Sequence, residues 1–259
     1  MITKRLTPWV VVLTLLMAPV ATAVTVFQDD FSGAGGALNG TTPDTTTGAA
    51  AWEAGSTWLD NGVAGTTVAS SANGQAAHLD YTPLSGKIYT AEATILNTNP
   101  NWIGFGFLPL NPSGGDWTVT DFSVRHSNAP GYAWMLNRLS TGNDQEGFLG
   151  GGTAGGRPWN GDVVDPNNPV NIKIVLDTTG ANWTAEWIIN NVSQGAPVAF
   201  GAAGNPGIGG IGFSHDRNAS ANSGGIISDF SLTFVPEPGT IALAGLGLVG
   251  LLASRGRRD

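Results

Sequence analysis

The chain contains no cysteine. No disulfide framework is open to it, and zinc sites built on thiolates are excluded. Charge is also scarce, with Asp, Glu, Lys and Arg making up 12% of 259 residues. Cations are scarcest in the middle of the chain. Between Val24 and Val235 only Lys87, Arg125, Arg138, Arg157, Lys173 and Arg217 are basic, against 17 acidic residues. An acidic body repels phosphate backbones, so nucleic acid is excluded as a partner class. Only three histidines occur, His78, His126 and His215. There is no His-Glu-x-x-His, no Gly-x-Ser-x-Gly elbow and no phosphate loop. The common signatures of metalloproteases, serine hydrolases and nucleotide enzymes are therefore missing. No stretch of the body repeats its apolar residues every 3.6 positions, so no helix is expected there.

What the chain does have is glycine, 38 residues of it, with a hydrophobic fraction of 41%. That is enough apolar material for a core. It is arranged in short segments of period two. Residues 75–81 put Ala77 and Leu79 on one face, and residues 87–97 put Tyr89, Ala91, Ala93 and Ile95 on one face. Residues 102–108 do the same with Ile103, Phe105 and Phe107, and 171–177 with Ile172, Ile174 and Leu176. Residues 182–190 align Trp183, Ala185, Trp187 and Ile189, and 226–234 align Phe230, Leu232 and Phe234. Alternation bounded by Gly, Pro and Asn is the strand signal. Residues 24–31 form a further strand, 32–51 a long loop or loose edge, and 147–156 a glycine-rich loop. About a dozen strands with one wet face pack as antiparallel sheets around a single core. The expected fold class is all-β, an antiparallel sandwich.

Candidate chemistry in the body is thin. The nearest approach to paired acids is Asp144-Gln145-Glu146, which sits among glycines and reads as a turn. The three histidines read as strand-end and loop residues. No catalytic residue is assigned. Eight tryptophans lie outside the N-terminal segment. Trp183 and Trp187 alternate with polar residues and are expected in the core. Trp102 faces opposite its apolar strand neighbours, and Trp117 and Trp159 lie in loop-like contexts. These three are the candidates for stacking on sugar rings.

Three segments resemble the concanavalin-A-like and laminin-G-like jelly-roll domains. They are Asp29-Asp30-Phe31 near the start, the strand–turn–strand run from Val170 to Trp187, and the closing Ser228-Asp229-Phe230-Ser231-Leu232-Thr233-Phe234. The resemblance spans residues 24–234 and implies a jelly roll whose last strand pairs near its first. It implies a family of lectins, glycan-binding modules, glycosidases and adhesive domains. It also implies a cation, calcium by its oxygen donors, between acids of the first and last strands. Asp30 and Asp229 are the metal candidates, and no cofactor is required.

The two ends read as addresses. Residues 1–23 have a positive start (Lys4, Arg5), an apolar run and a small-residue site at Ala21-Thr22-Ala23, which is a secretory signal peptide for signal peptidase. Residues 235–259 begin Val-Pro-Glu-Pro-Gly, continue as an uncharged run over 240–253 and end with Arg255, Arg257 and Arg258. As a helix that run spans about 21 Å, short of the roughly 30 Å of a bilayer core. These parts together resemble the PEP-CTERM sorting signal of Gram-negative bacteria, with Pro236, Glu237 and Pro238 as the recognised motif. The resemblance implies processing by an exosortase after a transient inner-membrane stage, then placement at the cell surface or outside. The expected organisation is a signal helix (1–23), a jelly-roll body (24–234) and a sorting segment with a short transmembrane helix (235–259). The expected role is a non-enzymatic surface or matrix protein that binds extracellular polysaccharide. The alternatives are a glycan hydrolase or lyase and a purely structural adhesin.

Overall fold

The computed structural model describes residues 22–33, 35–56, 58–60, 64–66, 76–97, 102–109, 133–138, 144–150, 156–215 and 225–236. Every element among them is a strand. In chain order these are β1 (Val24–Asp29), β2 (Thr45–Thr46), β3 (Glu53–Ala54), β4 (Trp58–Asp60), β5 (Ala64–Thr66), β6 (Ala76–Asp80), β7 (Lys87–Asn97), β8 (Trp102–Pro109) and β9 (Ala133–Arg138). They continue as β10 (Gln145–Leu149), β11 (Gly156–Gly161), β12 (Val170–Asp177), β13 (Asn182–Ile189), β14 (Val192–Ser193), β15 (Val198–Ala203), β16 (Ile208–His215) and β17 (Gly225–Pro236). The expected signal helix and transmembrane helix lie outside the described residues. Among the described residues no helix is long and apolar enough to cross a membrane.

The strands form two antiparallel sheets within one compact unit, Thr22–Glu237. The first runs β14-β13-β12-β7-β17-β1-β2, with β15 on β13 and the β4–β5 hairpin on β17. The second runs β11-β10-β9-β8-β16-β6-β3. Strands far apart in sequence are neighbours: β17 sits between β7 and β1, and β16 between β8 and β6. These are the crossovers of a jelly-roll sandwich. The last strand pairs with the first from Val24↔Phe234 to Asp29↔Phe230, and β12 and β13 form one long hairpin from Ile172↔Ile189 to Asp177↔Thr184.

Alternation decides which side chains make the core. On β7, Tyr89, Ala91, Ala93 and Ile95 are buried, while Ile88, Thr90, Glu92 and Thr94 are half-buried. On β12 the same division separates Ile172, Ile174 and Leu176 from Lys173 and Val175. Across the sandwich, Phe105 of β8 meets Phe230 of β17 edge-on at 6.1 Å. Trp187 Nε1 donates to the Trp134 carbonyl (2.9 Å), and Asn97 Nδ2 donates to the Asn137 carbonyl (2.9 Å). These two bonds tie the sheets together across the core. Trp183 and Trp187 are core residues, as their alternation predicts.

The segment 32–51 is a long loop carrying the edge strand β2, as expected, and it is tied to the core: Leu38 is fully buried, its N–H donates to the Trp58 carbonyl (3.0 Å), the Gly40 N–H donates to the Trp52 carbonyl and the Trp52 N–H to the Thr41 carbonyl (both 2.8 Å). Two expectations are corrected. Gln145 and Glu146 are not in a turn but on β10, paired to Asn137 and Leu136 of β9. Gly147 belongs to the same strand and Gly156 to β11, so the glycine-rich run is shorter than expected. Pairing with β9 overrides the local turn preference. Gln145 seals the junction: Nε2 donates to Asn137 Oδ1 (3.0 Å) and the Val164 carbonyl (2.9 Å), while Oε1 accepts from the N–H groups of Val163 and Val164 (2.9 and 3.1 Å).

The second sheet departs from the one-wet-face pattern altogether. All eight residues of β16 are buried, as are Ala133 to Asn137 of β9. Its outer face is thus a closed surface, and that face carries the polar chemistry.

Candidate functional site on the outer face of the second sheet

Strand pairing aligns two rows across the outer face. The first row is Glu53, His78, Gly212, Gly106, Trp134 and Phe148, running from β3 to β10. The second is Ala76, Ser214, Gly104, Leu136, Glu146 and Asn160, running from β6 to β11. Two glycines, Gly212 and Gly106, stand side by side at the centre of the first row, and Gly104 lies between Ser214 and Leu136 in the second. At Gly106 (φ +150°) a Cβ would lie 2.3 Å from the Ala133 carbonyl oxygen and 2.9 Å from Ile174 Cδ1. At Gly212 it would lie 2.1 Å from the Ala77 carbonyl oxygen and 2.8 Å from His78 Cα. Only glycine lets these central strands approach so closely.

One end of the rows is aromatic and charged. Trp134 and Phe148 stack in parallel, with centroids 4.2 Å apart and planes at 8°. Beside them Arg138 Nη2 donates to Glu146 Oε1 at 2.5 Å, the arginine 22% exposed and the glutamate 1%. Alternation places Asp144 on the same face as Glu146, and the Arg138 N–H donates to the Asp144 carbonyl (2.8 Å). The paired acids of the sequence are therefore two apart on one face of a strand end, with Arg138 opposite.

The other end holds a histidine between two carboxylates. His78 Nε2 lies 3.4 Å from Asp80 Oδ1 and 3.7 Å from Glu53 Oε2. The ring is 2% exposed, the glutamate 52% and the aspartate 77%. Sequence reading missed this group. His78 and Asp80 at alternate positions were visible in the sequence, but Glu53 arrives through pairing of β3 with β6. At about 4.8 Å per strand, Asp80 and Glu146 stand about 19 Å apart along the sheet. The two ends do not form a single carboxylate pair.

A third acidic group lies on the first sheet. Ligand atoms of Asp29, Asp30 and Asp44 fall within 4.8 Å of one another. Asp30, a metal candidate from the sequence, is in this group, and its partner candidate Asp229 is not. Asp229 follows a different local path, with φ +53° and a contact from Ser228 Oγ (3.3 Å). The carboxylates of the group already work as acceptors. Asp29 takes Trp52 Nε1 (2.6 Å) and the Phe31 N–H (2.8 Å), Asp30 takes the Ser32 N–H (2.9 Å), and Asp44 takes the Asp30 N–H (3.0 Å). Burial pushes the Asp29 carboxyl above its ordinary range, against the hydrogen bonds from Trp52 and Phe31. Bonds from Ser32 hold the Asp30 carboxyl below it. All three carboxylates are thus hydrogen-bonded within this turn.

Of the stacking candidates, Trp159 lies on β11 rather than in a loop, and it is half-buried against the core over Gly147. Trp102 begins β8, but its side chain is outside the described residues, as is Trp117 altogether. Pro236 closes β17, paired with Lys87, and Lys87 Nζ sits 4.3 Å above the Phe234 ring. Glu237, Pro238, Arg255, Arg257 and Arg258 lie outside the described residues.

Residues 234–258 match the PEP-CTERM protein-sorting motif. The chain ends in a PEP-CTERM sorting signal. Its first three residues are the end of β17, so this signal grows directly out of the sheet with no linker between. A PEP-CTERM signal implies export to the cell surface or extracellular space and processing by an exosortase. No curated protein matches the chain by sequence. Solved structures do match the fold. An endo-1,3-beta-glucanase from Streptomyces sioyaensis superposes with a TM-score of 0.54 at 15% identity, covering 85% of this chain and 99% of that one. An endo-acting O-glycanase of the human gut microbiota gives 0.52 at 8%, covering 82% and 99%. The alginate lyase Aly36B gives 0.50 at 13%, covering 83% and 97%. At these identities the likeness is one of fold.

Proposed function

We propose that this PEP-CTERM protein is a surface or matrix component that binds extracellular polysaccharide without cleaving it. The sorting signal supplies the address. The fold is shared with proteins named for acting on β-1,3-glucan, mucin glycans and alginate, which supports polysaccharide as the ligand class. The observation that carries the non-catalytic reading is the Arg138–Glu146 pair. A proton-transferring or nucleophilic carboxylate must be free to change its bonding during turnover. Glu146 is buried and held by a guanidinium.

A second reading, a glycan hydrolase or lyase, is favoured by one observation. Asp144 immediately precedes β10 and Glu146 lies on it, two positions apart, a spacing that lets two carboxylates divide acid and base roles. One experiment separates the readings. The purified protein is passed over immobilised β-1,3-glucan and alginate, with and without calcium, and the eluted polymer is assayed for new reducing ends and unsaturated products. Retention without products, unchanged by E146Q, is expected. Product formation that E146Q and D144N abolish would establish the enzyme instead. Absence of retention on every polymer leaves the structural adhesin.

A further inference from the structure

We propose that Glu53, His78 and Asp80 bind one divalent transition-metal ion, of the zinc or manganese class, at the β3–β6 end of the outer face. The proposal is independent of polysaccharide binding. Strand geometry assembles the three side chains on one side of the sheet. His78 and Asp80 are two apart on β6, so they share a face, and Glu53 is the cross-strand partner of His78.

The spacing admits one shared ion. One imidazole nitrogen and two carboxylate oxygens lie within 4.8 Å of one another. The Nε2 separations of 3.4 and 3.7 Å are longer than a nitrogen–oxygen hydrogen bond. Metal–ligand bonds of about 2.1 Å at tetrahedral angles place donor atoms about 3.4 Å apart. Small side-chain rotations bring the third donor to that distance, because Glu53 and Asp80 are exposed and the imidazole is fixed by burial. The neighbouring strand leaves room. Opposite His78 and Asp80 stand Gly212 and Gly210, which place no side chain beside the ring.

The donor set also states the class of ion. Imidazole with carboxylates suits zinc, manganese and their neighbours, whereas calcium takes oxygen ligands only and more of them. Three protein ligands leave a fourth position for water or an outside ligand.

The test is direct metal binding. The purified protein is dialysed against EDTA, then titrated with ZnCl2, MnCl2 and CaCl2 in a calorimeter. One Zn2+ or Mn2+ per chain is expected, bound at least tenfold more tightly than Ca2+. Affinity should fall at least tenfold in E53Q and in D80N, whose altered side chains are exposed and leave the core untouched. H78Q should abolish binding, with circular dichroism checking that it folds. An imidazolium held by the two carboxylates gives no stoichiometric uptake, and that result overturns the proposal. So does uptake that E53Q and D80N leave unchanged, or a preference for Ca2+.

Discussion

Replacing Gly106 by alanine tests whether glycine at this position is demanded by the backbone itself. Gly106 lies on β8 between Gly212 of β16 and Trp134 of β9. Its φ of +150° is a region that side-chain-bearing residues rarely adopt, which costs about 1–3 kcal/mol. The new Cβ also meets the Ala133 carbonyl oxygen at 2.3 Å, Trp134 Cα at 2.6 Å and Ile174 Cδ1 at 2.9 Å. Two of these atoms are backbone of the neighbouring strand and cannot rotate away. Opening the sheet to normal contact distance is overpacking of a central strand pair, about 1–3 kcal/mol more. G106A should therefore lose about 2–6 kcal/mol, a large share of the 5–15 kcal/mol that domains possess. Two controls separate the contributions. Gly40 (φ +83°) has nothing within 4 Å of a built Cβ, so G40A reports backbone strain alone. Gly201 has neither a positive φ nor a neighbour, so G201A should stay within about 0.5 kcal/mol of the parent. Urea unfolding with linear extrapolation measures all three. A loss in G106A no larger than in G40A would refute the reasoning, because the clash would then be relieved at no cost.

Two further outcomes concern buried polar groups. W52F removes the Nε1 donor from the buried Asp29 carboxylate and should cost at least about 1–3 kcal/mol. In a D29N background the same change should cost clearly less, and strict additivity in this double-mutant cycle would show that the two side chains are not coupled. Tyr81 is held neutral by burial and by its contact with Tyr89 Oη at 3.4 Å, so its pKa is raised above the ordinary value of 10.0. A raised pKa means that its contribution is complete below pH 10 and is lost as pH climbs from there toward the folded value. Above pH 10 the unfolded chain sheds this proton while the folded one keeps it. Urea midpoints between pH 9 and 11.5 should fall less steeply in Y81F than in the parent, and parallel curves would count against the burial of this phenol.

The chain's alternating strands were legible because their information is local. Ile172, Ile174 and Leu176, or Tyr89, Ala91, Ala93 and Ile95, state their own face through a period of two, and each is buried in the core. β16 was not legible for the same reason. Glycines at 209, 210 and 212 erase the alternation between Ile208, Ile211 and Phe213, and only the neighbours of that strand show why glycine is needed there. Glu146 looked like a turn residue because Gly147 follows it, until pairing with Leu136 made it a strand residue facing Arg138.

The sequence by itself determined the all-β class and the sorting signal, since each is written in contiguous residues, while the pairing of first and last strands followed from the resemblance to jelly-roll domains. Tertiary structure alone decided the chemistry of the outer face. Glu53 and His78, 25 positions apart, meet through the register of β3 on β6, and Arg138 reaches Glu146 across a hairpin whose path the glycines around it concealed. Register joins residues by hydrogen bonds between distant strands, and no local period in the chain encodes it.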